Sequence, residues 1–290
     1  AVGIADKTGV GVALSTAAVV SGAMFGDNLS IISDTTIAAT RTQGCEMRDK
    51  FKTNFKIVMP AAILTIIILI MMTKNAGMVE IDTLEYSFIK IVPYLAVIIA
   101  ALCGLNVMII LTAGIVIAGI IGLASGSFNI VGLCTSIASG AMGMSELIII
   151  SLMIAGTIAI IKENGGIDFI LNIGLKKFKN KRDAELGIAA LVSFVDICTA
   201  NNTIAIVSTG PIAKDISDEF ELEPKRVAGI LDMFSCVFQG IIPHGAQLIS
   251  AAGIALVSPF EIMKFLFYPY LMGICALISI FYYNRKRAAR

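Results

Sequence analysis

Apolar runs of bilayer length set the limits on what this chain can become. Ile57 to Met72, Ile89 to Cys103, Val107 to Leu123, Leu147 to Ile161 and Phe260 to Tyr283 hold almost no charged side chains. A helix crossing hydrocarbon needs roughly 17–25 residues of this kind. Composition agrees: 57% of the residues are hydrophobic and only 15% charged, against about 25% charged in a soluble domain. The expected fold class is therefore an all-α polytopic membrane protein with the lipid bilayer as its surroundings. A net charge of +1, with basic residues gathered between the apolar runs, leaves no electrostatic footprint for nucleic acid. The six cysteines (45, 103, 134, 198, 236 and 275) are scattered without a CxxC pair, and read as inert buried thiols.

Basic clusters orient the spans, because Lys and Arg collect on the cytoplasmic side. The first cluster is Arg41, Arg48, Lys50, Lys52 and Lys56; the second is Lys176, Lys177, Lys179, Lys181 and Arg182; the third is Arg285, Lys286, Arg287 and Arg290. With the first inside, Ile57 to Met72 leads outward to an acidic loop, Glu80 to Glu85. Ile89 to Cys103 returns, and Val107 to Leu123 leaves again. Phe128 to Met144 is rich in Gly and Ser and is expected outside or partly re-entrant. Leu147 to Ile161 then delivers the second cluster inside. "GGIDFILNIGLKKF" reads as an amphipathic interfacial helix. Three segments follow: 1–56, a broken helix plus a basic loop that ends a first inverted repeat; 57–183, connecting helices; 184–290, a hairpin, a second broken helix and a final span.

The breaks carry the functional information. "GDNLSIISDTT" (26–36) interrupts what would otherwise be one span, and "IIPHGAQ" (241–247) interrupts another. "LVSFVDICTANNTIAIVSTGPIAKDI" (191–216) places two short apolar arms around a polar centre, as a re-entrant hairpin would. The two broken spans share a layout: apolar arm, small-residue break, polar elbow, apolar arm, with Gly22 matching Gly240. Charge counting ends the first inside and the second outside, so the repeats are inverted, as in many secondary transporters. The chain opens on Ala1, with neither an initiator Met nor a signal peptide. We therefore expect a piece of a longer protein, with the first copy of the hairpin upstream.

Polar, non-helical backbone at membrane depth persists only where it faces protein or a water-filled cavity. An Asp at a helix centre costs about 2.5–3.5 kcal/mol on insertion scales. A broken helix offers free carbonyls to a cation at one half and free N–H groups to an anion at the other. Asp27, Asn28, Ser30, Ser33, Asp34 and Thr35 supply oxygens for a hard cation or a proton, by extension from the oxygen-ligand rule for Ca2+ and Mg2+. Asp27, Asn28 or Ser30 could instead simply cap the second half-helix. Asp196, Thr199 and Thr203 share a face if helical, and with Asn201 and Asn202 form a second elbow that lines the site. His244 and Gln247 sit at the third. Asp232 is either a site carboxylate or the partner of a lysine. No nucleophile–base pair, phosphate loop or HExxH motif is present, so nothing in the chain argues for an enzyme. No cofactor or metal is expected beyond transported Na+ and H+.

At these residues the chain resembles a family. "GDNLSIISDTT" is similar to the GD-x-L-S-x-x-SDTT signature of the NhaC-type Na+/H+ antiporters, within the ion transporter superfamily, and "TANNTIAIVSTGPIAKDI" resembles the matching hairpin. The resemblance covers all 290 residues, as the C-terminal two-thirds or so of a member. It implies a cation and proton role for Asp27, Ser30, Ser33, Asp34 and Thr35, and a substrate or ion role for Asn201, Asn202 and Thr203. Asn28 stands where a lysine is common, and Ile31 where a proline is common. The expectation is Na+/H+ antiport by alternating access across a bacterial plasma (inner) membrane, in a multi-pass protein for which a homodimer stays open. The alternative is a Na+- or H+-coupled carrier or exchanger of a small organic anion or an amino acid.

Overall fold

Hydrocarbon offers no partner to a backbone N–H or C=O, and every secondary-structure element among the described residues is a helix. The structure is a computed structural model that describes residues 2–30, 33–74, 88–102, 107–166, 169 and 178–288. The acidic loop 80–85 and most of the expected interfacial helix, 165–178, lie outside the described residues.

The chain forms two compact units, 1–79 with 153–290, and 80–152. In the larger, helix Pro224–Ile241 is the centre, and most of its side chains are buried. It packs against all the neighbours that matter for the site: Val12–Asn28, Asp34–Gln43, Met47–Thr73, Lys181–Thr199, Asn202–Glu219 and Phe267–Ala288. Small residues permit the close approaches. A Cβ at Gly240 would overlap the Met24 side chain, and one at Gly210 would lie 2.6 Å from Thr42. Gln43 Nε2 donates to Gly210 O at 2.9 Å and pins the same crossing. One end of the central helix is locked by Arg226, whose Nη2 donates to Glu185 Oε2 at 3.0 Å while its guanidinium lies 4.1 Å from the Tyr283 ring centroid.

The distribution of polarity is inverted relative to a soluble domain, where charged residues are almost never fully buried. Lys50, Asn54, Asp196, Asp232 and Gln239 are inside, whereas Ile63, Ile66, Ile70 and Met71 on one flank of Met47–Thr73 are exposed. That helix and the interrupted run Pro224–Ala255 are long and apolar enough to cross a membrane. The smaller unit holds Val92–Leu102 and Val107–Ala124, brought together where Gly114 meets Val97.

Several boundaries differ from expectation. Helix Met47–Thr73 begins ten residues before Ile57, inside the first basic cluster. Phe128 to Met144 is not a separate outer segment: Ile130–Glu163 is one helix of 34 residues that also contains Leu147 to Ile161. Its glycines and serines are tolerated because each Ser or Thr hydroxyl can return to its own backbone, as Ser136 Oγ does to Gly132 O at 2.9 Å. The last span starts at Phe267, since Ser258 and Glu261 form a capping box around a short helix, Pro259–Met263, that ends first. Of the cysteines, Cys236 is buried but Cys134 and Cys198 are exposed. A thiol suits an apolar exterior as well as a core.

Candidate functional site

The first break lies between Val12–Asn28 and Asp34–Gln43. Ser33 is extended and caps the second half, its Oγ accepting from Thr36 N at 3.2 Å. Capping therefore falls to Ser33, and Asp27, Asn28 and Ser30 are not the cap of that half-helix. Asp27 is half-buried, with Oδ1 accepting from Thr35 Oγ1 at 3.4 Å. Asn28 is buried, and Nδ2 donates to Met24 O and to Cys236 Sγ, both at 2.9 Å. Asp34 opens the second half, where a negative charge meets the positive end of the helix dipole.

The second elbow joins Lys181–Thr199 to Asn202–Glu219. Ala200 turns it, at φ 49°, in the left-handed region that L-residues visit rarely. Asn201 caps the following helix by accepting from Ile204 N at 2.9 Å, and Asn202 Oδ1 accepts from Thr203 N at 2.9 Å. Thr199 Oγ1 donates to Asn201 O at 3.2 Å. Because the chain breaks at Ala200, Asp196 and Thr199 are on one arm and Thr203 on the other, so the three do not share one helical face. Asp196 is completely buried, and neither of its oxygens has a hydrogen-bond partner among the described residues.

The third elbow separates Pro224–Ile241 from Ala246–Ala255. Glycine is required at 245, where a Cβ would lie 3.0 Å from Gln239 O. Exposed His244 places Nε2 3.0 Å from Ile197 O. Gln247 is half-buried, and its Oε1 has no partner among the described residues.

Contacts across the elbows tie the three together. Thr203 Oγ1 donates to Asp34 Oδ2 at 2.6 Å, joining the first break to the hairpin, and His244 joins the second break to the hairpin. The hairpin thus touches both broken helices at their polar turns.

Beneath the first elbow is a feature that the charge pattern concealed. Lys50 Nζ lies 2.7 Å from Asp232 Oδ2, with the two side chains 0% and 1% exposed. Asp232 is thus the lysine-paired alternative, and Lys50 does not belong with the exposed cations of its cluster, Arg41, Arg48, Lys52 and Lys56. Lys50 also donates to Thr36 Oγ1 at 2.7 Å. Thr36 Oγ1 accepts from Ser33 Oγ and donates to Ser30 O, each at 3.0 Å, so the ammonium is joined to the elbow through one saturated hydroxyl. Asn54 Nδ2 donates to Asp232 Oδ2 at 2.9 Å. Lys50, Asn54 and Thr36 are the residues that sequence reasoning missed. Lys50, Asn54, Val58, Ala61 and Thr65 are buried at spacings of three and four, one face of a helix. That periodicity was the available signal.

The family whose sequence pattern matches this chain is described as the Na+/H+ antiporter family, and the match covers residues 71–284. This chain belongs to the Na+/H+ antiporter family. The family match takes in the hairpin and the second broken helix, and begins beyond the first. Among curated proteins, the chain is 22% identical to the malate-2H(+)/Na(+)-lactate antiporter of Bacillus subtilis (strain 168), over 91% of this chain and 63% of that protein. It is 23% identical to the Na(+)/H(+) antiporter NhaC of Alkalihalophilus pseudofirmus, over 91% of this chain and 64% of the relative. It is 21% identical to the NhaC of Bacillus subtilis, over 96% and 68% respectively. The chain thus spans a little under two-thirds of the length of the first two of these relatives. No solved structure matches it.

Proposed function

We propose that this chain is the ion-handling part of a secondary transporter that exchanges Na+ for H+ across a bacterial plasma membrane by alternating access. The observation that carries the reading is the meeting of three polar elbows through Asp34–Thr203 and His244–Ile197. Asp27 and Asp34 flank the first break, the free carbonyls of Val12–Asn28 face the same gap, and Ser30, Ser33 and Thr35 add oxygens. One carboxylate there can hold a proton or a cation, but not both. If the site opens to one side at a time, that competition couples the two fluxes.

An inverted repeat suits this reading. The halves of the first broken helix are 17 and 10 residues long, those of the second 18 and 10. Their contacts also exchange: Pro224–Ile241 packs on Asp34–Gln43, and Ala246–Ala255 packs on Val12–Asn28. Exchanging the two copies turns one contact into the other. In this organisation 1–56 closes the first repeat, 57–183 connects, and 184–290 is the second repeat, with Lys181–Thr199 and Asn202–Glu219 as its re-entrant hairpin. Residues 41–56, 162–183 and the C-terminus face the cytoplasm.

A second reading has one specific observation behind it. The malate-2H(+)/Na(+)-lactate antiporter relative is named for exchange of organic anions. In that reading the N-terminal ends of Asn202–Glu219 and Ala246–Ala255 hold a substrate carboxylate, with Asn201, Asn202, His244 and Gln247 around it. Full-length protein in proteoliposomes separates the two. Under the first reading a Na+ gradient alone drives a pH change; a pH change that needs a dicarboxylate or an amino acid selects the second.

A further inference from the structure

We infer that Lys50 is a built-in cation seated in a second cation site, so that the protein's own ammonium takes a place a transported ion would otherwise fill. This rests on the reading above of the first elbow as an ion site. The seat is built from three elements. Asp232 comes from the central helix, Thr36 from the second half of the first broken helix, and Asn54 from the helix that carries Lys50 itself. A carboxylate, a hydroxyl and an amide are the oxygen donors that hard cations take. Two hydrogen bonds of 2.7 Å from one nitrogen are the short, charge-assisted kind. Asn54 Nδ2 also lies 3.5 Å from Asn28 O, a carbonyl at the very end of the first half-helix, so the seat borders the break.

Stability alone does not call for this arrangement. A buried ion pair is often no more stable than a well-packed apolar pair of similar volume. Here the ammonium is joined through Thr36 to Ser30 O, a backbone group of the elbow. Asp232 Oδ1, Asn54 Oδ1 and Asn28 Oδ1 are buried without hydrogen-bond partners among the described residues, so oxygen lone pairs remain around the seat. The ammonium compensates Asp232 directly, whereas Asp27, beside it, has a threonine hydroxyl and no ammonium at contact distance. Lys50 therefore leaves Asp27 as the carboxylate at this elbow that needs a mobile cation.

Equilibrium binding of radioactive Na+ to purified full-length protein tests this. Lys50→Ala empties the seat and should bind one more Na+ per chain than the unsubstituted protein. Lys50→Arg refills it and should restore the original number. Lys50→Met with Asp232→Asn removes both charges, keeps the packing, and should also bind the original number, which covers the case in which Lys50→Ala does not fold. An unchanged number in monodisperse Lys50→Ala overturns the inference. So does loss of a Na+ in the double variant, because Asp232 would then itself hold the transported ion. Failure of the unsubstituted protein to exchange Na+ for H+ in liposomes would reject the functional reading instead, and leaves the binding difference between variants intact.

Discussion

Asp232 is held by two donors, and its environment makes it intolerant of change. The carboxylate meets Lys50 Nζ at 2.7 Å and Asn54 Nδ2 at 2.9 Å with no solvent contact to speak of. Removing one member of a buried pair leaves the other charged and uncompensated, at a cost of about 3–5 kcal/mol. Asp232→Asn alone should therefore lower the unfolding midpoint in detergent strongly. Adding Lys50→Met to it should recover most of the loss; a single variant as stable as the unsubstituted protein would contradict the burial of the pair. By contrast Ser33→Ala removes only a cap, typically about 1 kcal/mol. At this scale the sequence was half legible. Two acids within a polar break stood out at once. Lys50 did not, because a lysine among Arg41, Arg48, Lys52 and Lys56 has the same letter whether it faces water or Asp232.

The elements show where that difference came from. Hydropathy places the start of a span at the first unbroken apolar residue, Ile57, whereas the helix starts at Met47. Ten polar-looking residues are helical because Lys52 and Lys56 point out while Lys50 and Asn54 point in. An average over a window cannot separate those two faces; a helical period can. The breaks were read correctly as breaks between helical halves because Ser33, Asn201 and Gly245 are residues that end or start helices whatever their tertiary setting. Which cap each supplies depended on geometry that letters do not carry, so Ser33 rather than Asp27 holds Thr36 N. The crossing of the broken helices depends on Gly240, against which Met24 is packed. Gly240→Val should separate the two helices and destabilise by about 1–3 kcal/mol, the usual range for overpacking. Pairing it with Met24→Ala should recover part of the loss. A denaturation midpoint unmoved by Gly240→Val would place the two helices further apart than they stand here.

For the whole molecule, the fold class was legible from run lengths and the family from the first elbow and the hairpin, while the packing of one break against another was not. Contacts such as Thr203 to Asp34 join residues 169 positions apart, and no local pattern encodes such a pairing. The proposed topology puts residues 41–56 and 162–183 in the cytoplasm and residues 75–86 outside. In a background without the six native cysteines, single cysteines at 48 and 176 should react with an impermeant maleimide only in inside-out vesicles, and one at 80 only in right-side-out cells. Labelling of position 176 from outside would refute the orientation. The central claim, however, is that the carboxylates of the first elbow carry the coupled ions. Asn keeps the size of Asp and caps helices about as well, but it lacks the charge and the exchangeable proton. The decisive measurement is the Na+-driven pH change in proteoliposomes of full-length protein, comparing monodisperse Asp27→Asn and Asp34→Asn with the unsubstituted chain. The account predicts a pH change for the unsubstituted protein, none for Asp34→Asn, and either none or a sharply raised Na+ requirement for Asp27→Asn. Exchange at the unsubstituted rate and Na+ affinity in both variants would contradict it.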